Sequence, residues 1–490
     1  MKKPILLTSL FFFCIFAFGQ TIQLYKENPH YFQYKEKPIL LITSGEHYGA
    51  VINLDFDYVK YLNTLQSEGL NLTRLFTGIY VEEPNGFGIQ NNTLTPKTGK
   101  MLIPYMRGFE EGYPLGGNKF DLMVWDGTYF NRLRNFITEA QKRDIIVEVV
   151  LFSSCYGAYN LHPYNSVNNI NSTTPIEAKD LHTLNNGNVL QFQEKFVRKF
   201  VKELNPFDNV YFEIQNEPYA DNAVRTHTIH SYISADEMKD KGQFWKNAVE
   251  VASSENLSWQ KKMAEIIKDE ELKINKKKHL IAQNYSNFRY PLESIDRNVS
   301  VLNFHYALPE AVAWNYHFNK PISFDESGFA GKEDATYRKQ AWNFILSGGS
   351  VINFLDYSFV TGKEDGTENQ NVAPGGGSTA LRASLKTLKN FMEGFTLAKL
   401  IPDYTSIASS PGSIHKCMSN QSTEFAIYLE GGKTAEVNIS LAVGKYSLEW
   451  INTQNANIEK SETIDHPGKV AKVVGPAYQE DIALRIKKVL

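Results

Sequence analysis

The fold of this chain is decided by the stretch Val210-Tyr-Phe-Glu-Ile-Gln-Asn-Glu-Pro218, an apolar run that ends in polar residues and a proline. A short apolar run bounded by turn residues is typical of a strand that is buried on both faces of a parallel sheet. The stretch Pro321-Ile-Ser-Phe-Asp-Glu-Ser327 has the same form. Each run therefore predicts a buried strand with a glutamate at its carboxyl end, Glu217 in the first and Glu326 in the second.

Strand-like runs of this kind recur along the chain, and amphipathic helical patterns separate most of them. The predicted strands cover residues 38–44, 71–77, 145–153, 209–215, 279–284, 299–306, 321–325 and 350–356. Between the third and fourth runs, Phe192, Phe196, Phe200 and Leu204 recur at the spacing of one helix face. Eight strands that alternate with helices predict an α/β fold of the (β/α)8 TIM-barrel type. A doubly wound sheet is the alternative, but no glycine-rich dinucleotide fingerprint follows the first run.

The pattern changes from about Asp403 to short strands separated by polar turns. The predicted strands in this part cover residues 422–429, 434–440, 446–450 and 481–486. Short strands at such spacing are typical of an all-β sandwich. We therefore predict a barrel domain over residues 20–400 and a small C-terminal all-β sandwich domain over residues 401–490.

The first 19 residues have the form of a secretory signal peptide. Lys2 and Lys3 precede an apolar run over residues 5–18, and Ala17 and Gly19 supply small residues before a cleavage site. We therefore expect a secreted or periplasmic protein. No later stretch is apolar over the roughly 18 residues that a membrane helix requires, so we expect no membrane span.

The composition is that of a folded protein with a large core, because 42% of the residues are hydrophobic and 21% are charged. The 51 Lys and Arg residues nearly balance the 54 Asp and Glu residues, which leaves a net charge of −3. That balance argues against a broad nucleic-acid-binding surface.

The predicted barrel places Glu217 and Glu326 on the same face of the molecule. Residues at the carboxyl ends of barrel strands face the active site, and the fourth and seventh strands lie across the barrel mouth from each other. Glycoside hydrolysis requires two carboxyl groups that flank a cleft, one to donate a proton and one to act as an anion. The pair therefore points to this chemistry.

The motifs Gln215-Asn216-Glu217-Pro218 and Asp325-Glu326-Ser327, at these two strands, resemble clan A of the retaining glycoside hydrolases, and the cellulase-like family 5 is the nearest well-known relative. The resemblance implies a retaining β-glycoside hydrolase that acts on a poly- or oligosaccharide. It also implies that Glu217 is the general acid/base and Glu326 is the nucleophile. This chemistry requires no cofactor and no metal.

The resemblance implies further site residues. Asn216 would bind the sugar 2-hydroxyl group, and Arg74, at the end of the second predicted strand, would bond the nucleophile. The family tends to carry His-x-Tyr after its sixth strand, where this chain has His305 and Tyr306 side by side. Because side chains alternate along a strand, both can face the site only where the strand has already ended. Which of the two faces the site is left open.

Other candidate substrate contacts are His47, which follows the first predicted strand, and Tyr357, which stands after the eighth strand, where the clan commonly has a tryptophan. Because of that departure we do not predict cellulase activity. Long connections over residues 78–125, 154–189 and 219–258 would narrow an open groove toward a pocket. They hint at chain ends or short oligosaccharides as substrates.

Two alternatives remain at this stage. One is a non-catalytic glycan-binding protein on a decayed barrel. The other is a glycosidase with an inverting mechanism, which the separation of the two carboxyl groups distinguishes: about 5–5.5 Å for retention and about 6.5–9.5 Å for inversion.

Overall fold

The computed structural model describes residues 20–46, 48–222, 224–228, 246 and 248–489. The predicted signal peptide over residues 1–19 and the candidate residue His47 lie outside the described residues.

A nearly closed barrel of eight parallel strands forms the larger part of the molecule, which confirms the predicted TIM-barrel fold. The strands are β1 (Leu41–Ile42), β2 (Leu72–Phe76), β3 (Ile146–Ser153), β4 (Val210–Asn216), β5 (Ile281–Asn287), β6 (Val301–His305), β7 (Ile322–Glu326) and β8 (Val351–Ile352). Neighbouring strands pair in this order from β2 to β8, and β8 pairs with β1. The backbone N–H of Arg74 donates to the carbonyl of Gly45 at 3.3 Å, which brings β2 next to the end of β1.

Helices cover the outside of the barrel. They are α1 (Tyr58–Ser67), α2 (Gly127–Lys142), α3 (Val189–Leu204), α4 (Ser254–Ile274), α5 (Pro309–Asn315), α6 (Asp334–Ile345) and α7 (Thr379–Glu393). The Asp126 side chain caps α2 by accepting the N–H groups of Thr128 and Tyr129. Every residue of β3 and β4 is buried, since the helices cover one face and the barrel interior covers the other. Of the helices described, none has the length and apolar character needed to cross a membrane.

The first and last barrel strands are shorter than predicted. Part of the predicted run 38–44 belongs to an N-terminal hairpin, in which Phe32–Tyr34 pairs with Lys37–Ile39. In the run 350–356 only the first residues form a ladder. Beyond it, the backbone N–H of Glu46 donates to the carbonyl of Phe354 at 3.4 Å. Two side chains also accept from the segment after β1: Asn353 from the N–H of Gly45, and Asp356 from the hydroxyl of Ser44.

The long connections after β2 and β4 contain strands of their own. Tyr105–Glu111 and Asn118–Trp125 form an antiparallel hairpin. Val224–Thr228 and Ala248–Val251 pair in the same way, and the second of these strands continues the sheet next to β5. Sequence patterning did not reveal these strands. In the first hairpin, buried and exposed residues do not alternate regularly.

The C-terminal region consists of antiparallel strands in two sheets. The strands are β9 (Ile401–Pro402), β10 (Ile407–Ser409), β11 (Ile414–Ser419), β12 (Glu424–Glu430), β13 (Thr434–Ser440), β14 (Gly444–Asn452), β15 (Ile458–His466), β16 (Val470–Ala477) and β17 (Asp481–Lys488). One sheet has the order β9-β11-β12-β17-β14-β15 and the other the order β10-β13-β16. Sequence patterning missed β11, β15 and β16; the side chains of β15 are mostly polar or charged, and β16 contains Gly475 and Pro476, which are unfavourable in a strand.

The C-terminal region packs directly against the barrel. Trp342 of α6 is fully buried and stacks on Tyr428 of β12, with ring centroids 5.5 Å apart and planes 16° from parallel. On the same helix, the Arg338 guanidinium lies 2.7 Å from a carboxylate oxygen of Asp481, and both side chains are buried. The two parts of the chain therefore share an interface that contains buried side chains from both.

Candidate active site

Glu217 and Glu326 meet at the mouth of the barrel. Glu326 is the last residue of β7, and Glu217 directly follows β4 with a backbone φ of +44°, in the left-handed region. An oxygen of each carboxylate and a ring nitrogen of His305 all lie within 4.8 Å of one another. The structure thus brings together the two carboxylates that the strand ends predict.

Glu326 is held as an anion by several donors. Its Oε2 accepts from Arg74 at 3.0 Å and from the hydroxyl of Tyr48, and its Oε1 accepts from the hydroxyl of Tyr306 at 3.2 Å. Burial by itself would raise the pKa of Glu326. The positive charges of His305 and Arg74 and the hydrogen bonds outweigh burial and lower that pKa to about 2. Glu326 is therefore ionised at neutral pH.

Arg74 links most of the charged groups of the site. Its guanidinium is fully buried and donates to Glu213 through Nε at 3.0 Å, to the side-chain oxygen of Asn216 at 2.7 Å and to Glu326. It also donates to Glu46, which follows β1. The planar, fork-shaped donor set of arginine suits this arrangement, because one rigid cation can orient several acceptors at once. Arg74 thereby fixes Asn216 beside the nucleophile candidate.

His305 and Tyr306 both face the site. Strand β6 ends at His305, and Tyr306 has a φ of +51°, so the usual alternation of side chains is broken at this point. The Nδ1 atom of His305 lies 2.9 Å from Oε1 of Glu217. Burial would lower the pKa of His305, but the charges of Glu326 and Asp325 raise it well above its ordinary value. The imidazole is therefore protonated.

Glu217 has a different set of neighbours from Glu326. The hydroxyl of Tyr156, in the connection after β3, donates to its Oε2 at 2.7 Å, and the side-chain amide of Asn216 donates to that same hydroxyl at 2.7 Å. Neither Tyr156 nor Glu46 is among the site residues predicted from the sequence, although Glu46 stands in the polar stretch that follows β1.

A cavity of about 490 Å³ opens above the two carboxylates. Tyr357 and Asn216 line it together with Glu217, Glu326 and Tyr306. Aromatic side chains from several connections form much of the remaining wall; they are Tyr48, Phe76, Tyr80, Phe87, Tyr156, Tyr219, Phe329 and Phe359. The predicted substrate contact Tyr357 therefore lies in the same cavity as the two glutamates.

Further carboxylates lie deeper in the barrel. Glu148 accepts from the Tyr211 hydroxyl and from the side-chain amide of Asn303, both at 2.8 Å, and the same amide donates to Asp325 at 2.7 Å. Burial, together with the nearby charge of Asp325, raises the pKa of Glu148 to about 7. The barrel interior is thus a hydrogen-bonded polar network and not a purely apolar core.

Two sets of side chains have the spacing of a metal site, but their chemistry is that of ion pairs. The sets are Glu213, His305 and Asp325, and Glu217, His305 and Glu326. Both contain His305, whose ring nitrogens lie 2.9 Å from Glu217 and 3.6 Å from Asp325.

No protein-family model matches the chain, and no curated protein matches it. Solved structures do match. A glycoside hydrolase candidate from Bacteroides vulgatus aligns with a TM-score of 0.63 at 12% identity, over 96% of this chain and 83% of that one. A glycoside hydrolase family 5 protein from the same organism aligns with a TM-score of 0.60 at 12% identity, over 96% of this chain and 93% of that one. A third structure, a glycoside hydrolase, has a TM-score of 0.57 at 13% identity, over 96% of this chain and 97% of that one.

The chain has the fold of these glycoside hydrolases. The likeness extends through the barrel and the C-terminal sheets, because the alignments cover nearly the whole chain. It supports the predicted resemblance to clan A at the level of the fold. Assignment to family 5 in particular stays a prediction at this sequence identity.

Proposed function

We propose that the protein is a secreted retaining β-glycoside hydrolase that cleaves O-glycosidic bonds of a poly- or oligosaccharide. The observation that carries the proposal is the placement of Glu217 and Glu326 at the barrel mouth, with oxygens within 4.8 Å of each other. The fold shared with glycoside hydrolases supports it. Secretion rests on the signal-like sequence of residues 1–19.

In the first step, an oxygen of ionised Glu326 forms a bond with the anomeric carbon while the bond from that carbon to the leaving oxygen breaks. Glu217 gives its proton to the leaving oxygen, so the aglycone departs as an alcohol. Arg74, Tyr48 and Tyr306 suit Glu326 to this role, because they keep it anionic and fix its orientation. The product is a glycosyl-enzyme ester.

In the second step, Glu217 takes a proton from a water molecule whose oxygen attacks the anomeric carbon. The ester bond to Glu326 breaks, and both carboxyl groups return to their starting states. Two displacements at one carbon preserve its configuration. The contact between His305 and Glu217 would hold the Glu217 side chain in one orientation through both steps.

The close approach of the two carboxylates favours this mechanism over inversion. An inverting enzyme keeps its carboxyl groups about 6.5–9.5 Å apart to admit a water molecule, whereas a retaining enzyme holds them about 5–5.5 Å apart. The nitrogen of His305 that lies 2.9 Å from Glu217 is also 3.5 Å from Glu326. One atom that reaches both carboxylates indicates the narrower spacing.

The test is the stereochemistry of hydrolysis. The purified protein is incubated with a panel of aryl β-glycosides of glucose, mannose, galactose and xylose, and the first-formed sugar is followed by proton NMR. We expect the β-anomer to appear first and then to mutarotate, with no turnover by Glu326→Gln. Initial release of the α-anomer would rule out retention. Sugar binding without any hydrolysis would instead favour the glycan-binding alternative.

A further inference from the structure

Glu82 is a buried carboxylate of the cavity that the proposed mechanism does not use. It lies in the connection after β2, is 8% exposed and lines the cavity. Tyr80 donates to its Oε1 at 3.1 Å, and the side-chain amide of Asn92 donates to its Oε2. A carboxylate offers about four acceptor positions, so two remain for a ligand in the cavity.

The orientation of this pair is fixed by the surrounding backbone. The N–H of Leu94 donates to the side-chain oxygen of Asn92 at 2.9 Å, which turns the amide nitrogen toward Glu82. The N–H of Glu82 donates to the carbonyl of Leu94 at 3.1 Å. Asn92 and Leu94 line the cavity as well. Glu82 and Asn92 thus form a preorganised polar patch on a wall that is otherwise largely aromatic.

The same connection closes one side of the cavity. It contacts the connection between β1 and α1, where the side-chain amide of Asn53 donates to the carbonyl of Thr93 at 3.2 Å. It then reaches the connection after β8, where the N–H of Gln90 donates to the carbonyl of Val372 at 3.0 Å. Lys332, which follows β7, donates to the carbonyl of Asn371 at 3.1 Å. The wall is therefore continuous from β2 across β1 to β8 and β7.

The aromatic side chain of Phe87 narrows the cavity. Phe87 of this connection makes edge contacts with Tyr156, at 5.6 Å between ring centroids, and with Phe329, at 6.1 Å. Tyr156 bonds Glu217, and Phe329 follows Glu326 on the connection after β7. The ring of Phe87 thus spans the space between the walls that carry the two glutamates.

The closed side of the cavity is the side on which the glycone part of a substrate would lie. The acid Glu217 lies at the leaving oxygen, so the aglycone extends on its side, and the glycone lies toward Glu326. Glu82 and Glu326 line the same cavity, and burial raises the pKa of Glu82 to about 7. A glycone chain that runs in this direction meets the wall formed by the connections after β8, β1 and β2.

We propose that Glu82 and Asn92 form the closed end of the cavity and bind hydroxyl groups of the terminal glycone sugar, so that the enzyme releases short products from chain ends. This inference rests on the proposed glycoside hydrolysis. A neutral sugar end offers the hydroxyl donors that the two free acceptor positions of Glu82 require. An internal segment of a polysaccharide would have to pass through the wall.

The test uses the full chain and a ladder of β-linked gluco-, manno- and xylo-oligosaccharides labelled at the reducing end. We expect the first labelled products to be the substrates shortened by a constant small step. Glu82→Gln should lower kcat/KM by roughly 10- to 100-fold, the effect of one hydrogen bond to a charged group. Glu83→Gln is the matched control, because the neighbouring Glu83 is exposed and bonds Asn160 outside the cavity. It should leave kcat/KM unchanged.

Calorimetric binding of the same oligosaccharides to Glu217→Gln, with and without Glu82→Gln, separates this inference from the proposed function. Early labelled products of many lengths, or equal kcat/KM in Glu82→Gln and wild type, would overturn chain-end recognition while hydrolysis stands. Binding that depends on Glu82, without cleavage by the wild type, would uphold end recognition and overturn hydrolysis. Absence of both cleavage and binding would overturn both.

Discussion

The Nδ1 atom of His305 lies 2.9 Å from Oε1 of Glu217 and 3.5 Å from Oε1 of Glu326, so one imidazolium faces both carboxylates of the site. On its other side, Nε2 lies 3.6 Å from Asp325. The charge of His305 is the largest factor that opposes the effect of burial on Glu326. His305 therefore acts on the nucleophile candidate electrostatically, and removing it should change the pH dependence of the enzyme.

We predict that His305→Ala moves the acid limb of the pH profile of kcat/KM upward. The nucleophile must be ionised, so activity is lost as the pH falls through its pKa. That pKa is about 2 in the wild type and rises when the cation is removed. A neighbouring opposite charge lowers the pKa of a carboxyl group by about 1–3 units, so the acid limb should move upward by a similar amount. Tyr306→Phe removes a donor to Glu326 but no charge and should shift the limb less. An unmoved limb in His305→Ala would contradict the electrostatic role.

The two glutamates should fail in different ways. Glu326→Ala cannot form the glycosyl-enzyme, so we expect it to lose about 10⁴-fold or more in activity even on activated aryl glycosides. Glu217→Ala lacks the proton donor, which a good leaving group hardly requires, and lacks the base for the second step. The glycosyl-enzyme should therefore form and then persist.

Added azide identifies which glutamate has which role. Azide is a nucleophile that needs no base, so it should restore turnover to Glu217→Ala and give the β-glycosyl azide. The product is identified by NMR, with Glu326→Ala plus azide as the matched control. An α-glycosyl azide from Glu217→Ala would show that the two roles are reversed.

The parts of this molecule that could be predicted from the sequence are those that depend on a local sequence pattern. Buried parallel strands read as apolar runs, and a strand end places its next polar residue at the barrel mouth, which located Glu217 and Glu326. The convergence of Arg74 on Glu46, Glu213 and Glu326 depends on strands far apart in the chain. The periodicity of hydrophobic residues does not predict contacts between such distant parts of the chain.

Connections were harder to predict than strands. Tyr156 and Glu82 reach the cavity from long segments whose course depends on contacts with other connections. The positive φ of Tyr306 could not be read from its residue type either, because tyrosine carries no preference for the left-handed region. That single torsion decides that both His305 and Tyr306 face the site.

The C-terminal sheets should stabilise the barrel through Arg338. Its guanidinium meets Asp481 at 2.7 Å in a buried contact, so Arg338→Ala would leave a buried carboxylate without its cation. Breaking a buried pair costs about 3–5 kcal/mol. Lys339→Ala is the control on the same helix, since Lys339 lies 4.0 Å from Glu430 and is partly exposed; it should cost at most about 1 kcal/mol. Urea unfolding measures both, and equal losses would argue against the interface.

Glu148 should make the folded protein less stable as the pH rises toward 7. Its pKa is raised from 4.5 to about 7 in the folded state, first by burial and then by the charge of Asp325. Between these values the folded state keeps a proton that the unfolded chain has lost, so the stabilisation present below pH 4.5 is lost as the pH rises through about 7.

Glu148→Gln has no proton to lose, so its stability should not fall in this way. The free energy of unfolding of Glu148→Gln minus that of the wild type should therefore be larger at pH 8 than at pH 4.5. The increase should be up to about 3 kcal/mol, from the conversion of a pKa shift into free energy. Tyr211→Phe removes the hydroxyl bonded to Glu148 but leaves the carboxyl group in place. Because the hydrogen bond from Tyr211 lowers the pKa of Glu148, Tyr211→Phe should lose stability with rising pH at least as strongly as the wild type, even if its overall stability is lower. The measurement is the free energy of unfolding in urea across this pH range for the three proteins. A pH dependence in Glu148→Gln equal to that of the wild type would mean that Glu148 does not hold its proton in the folded barrel.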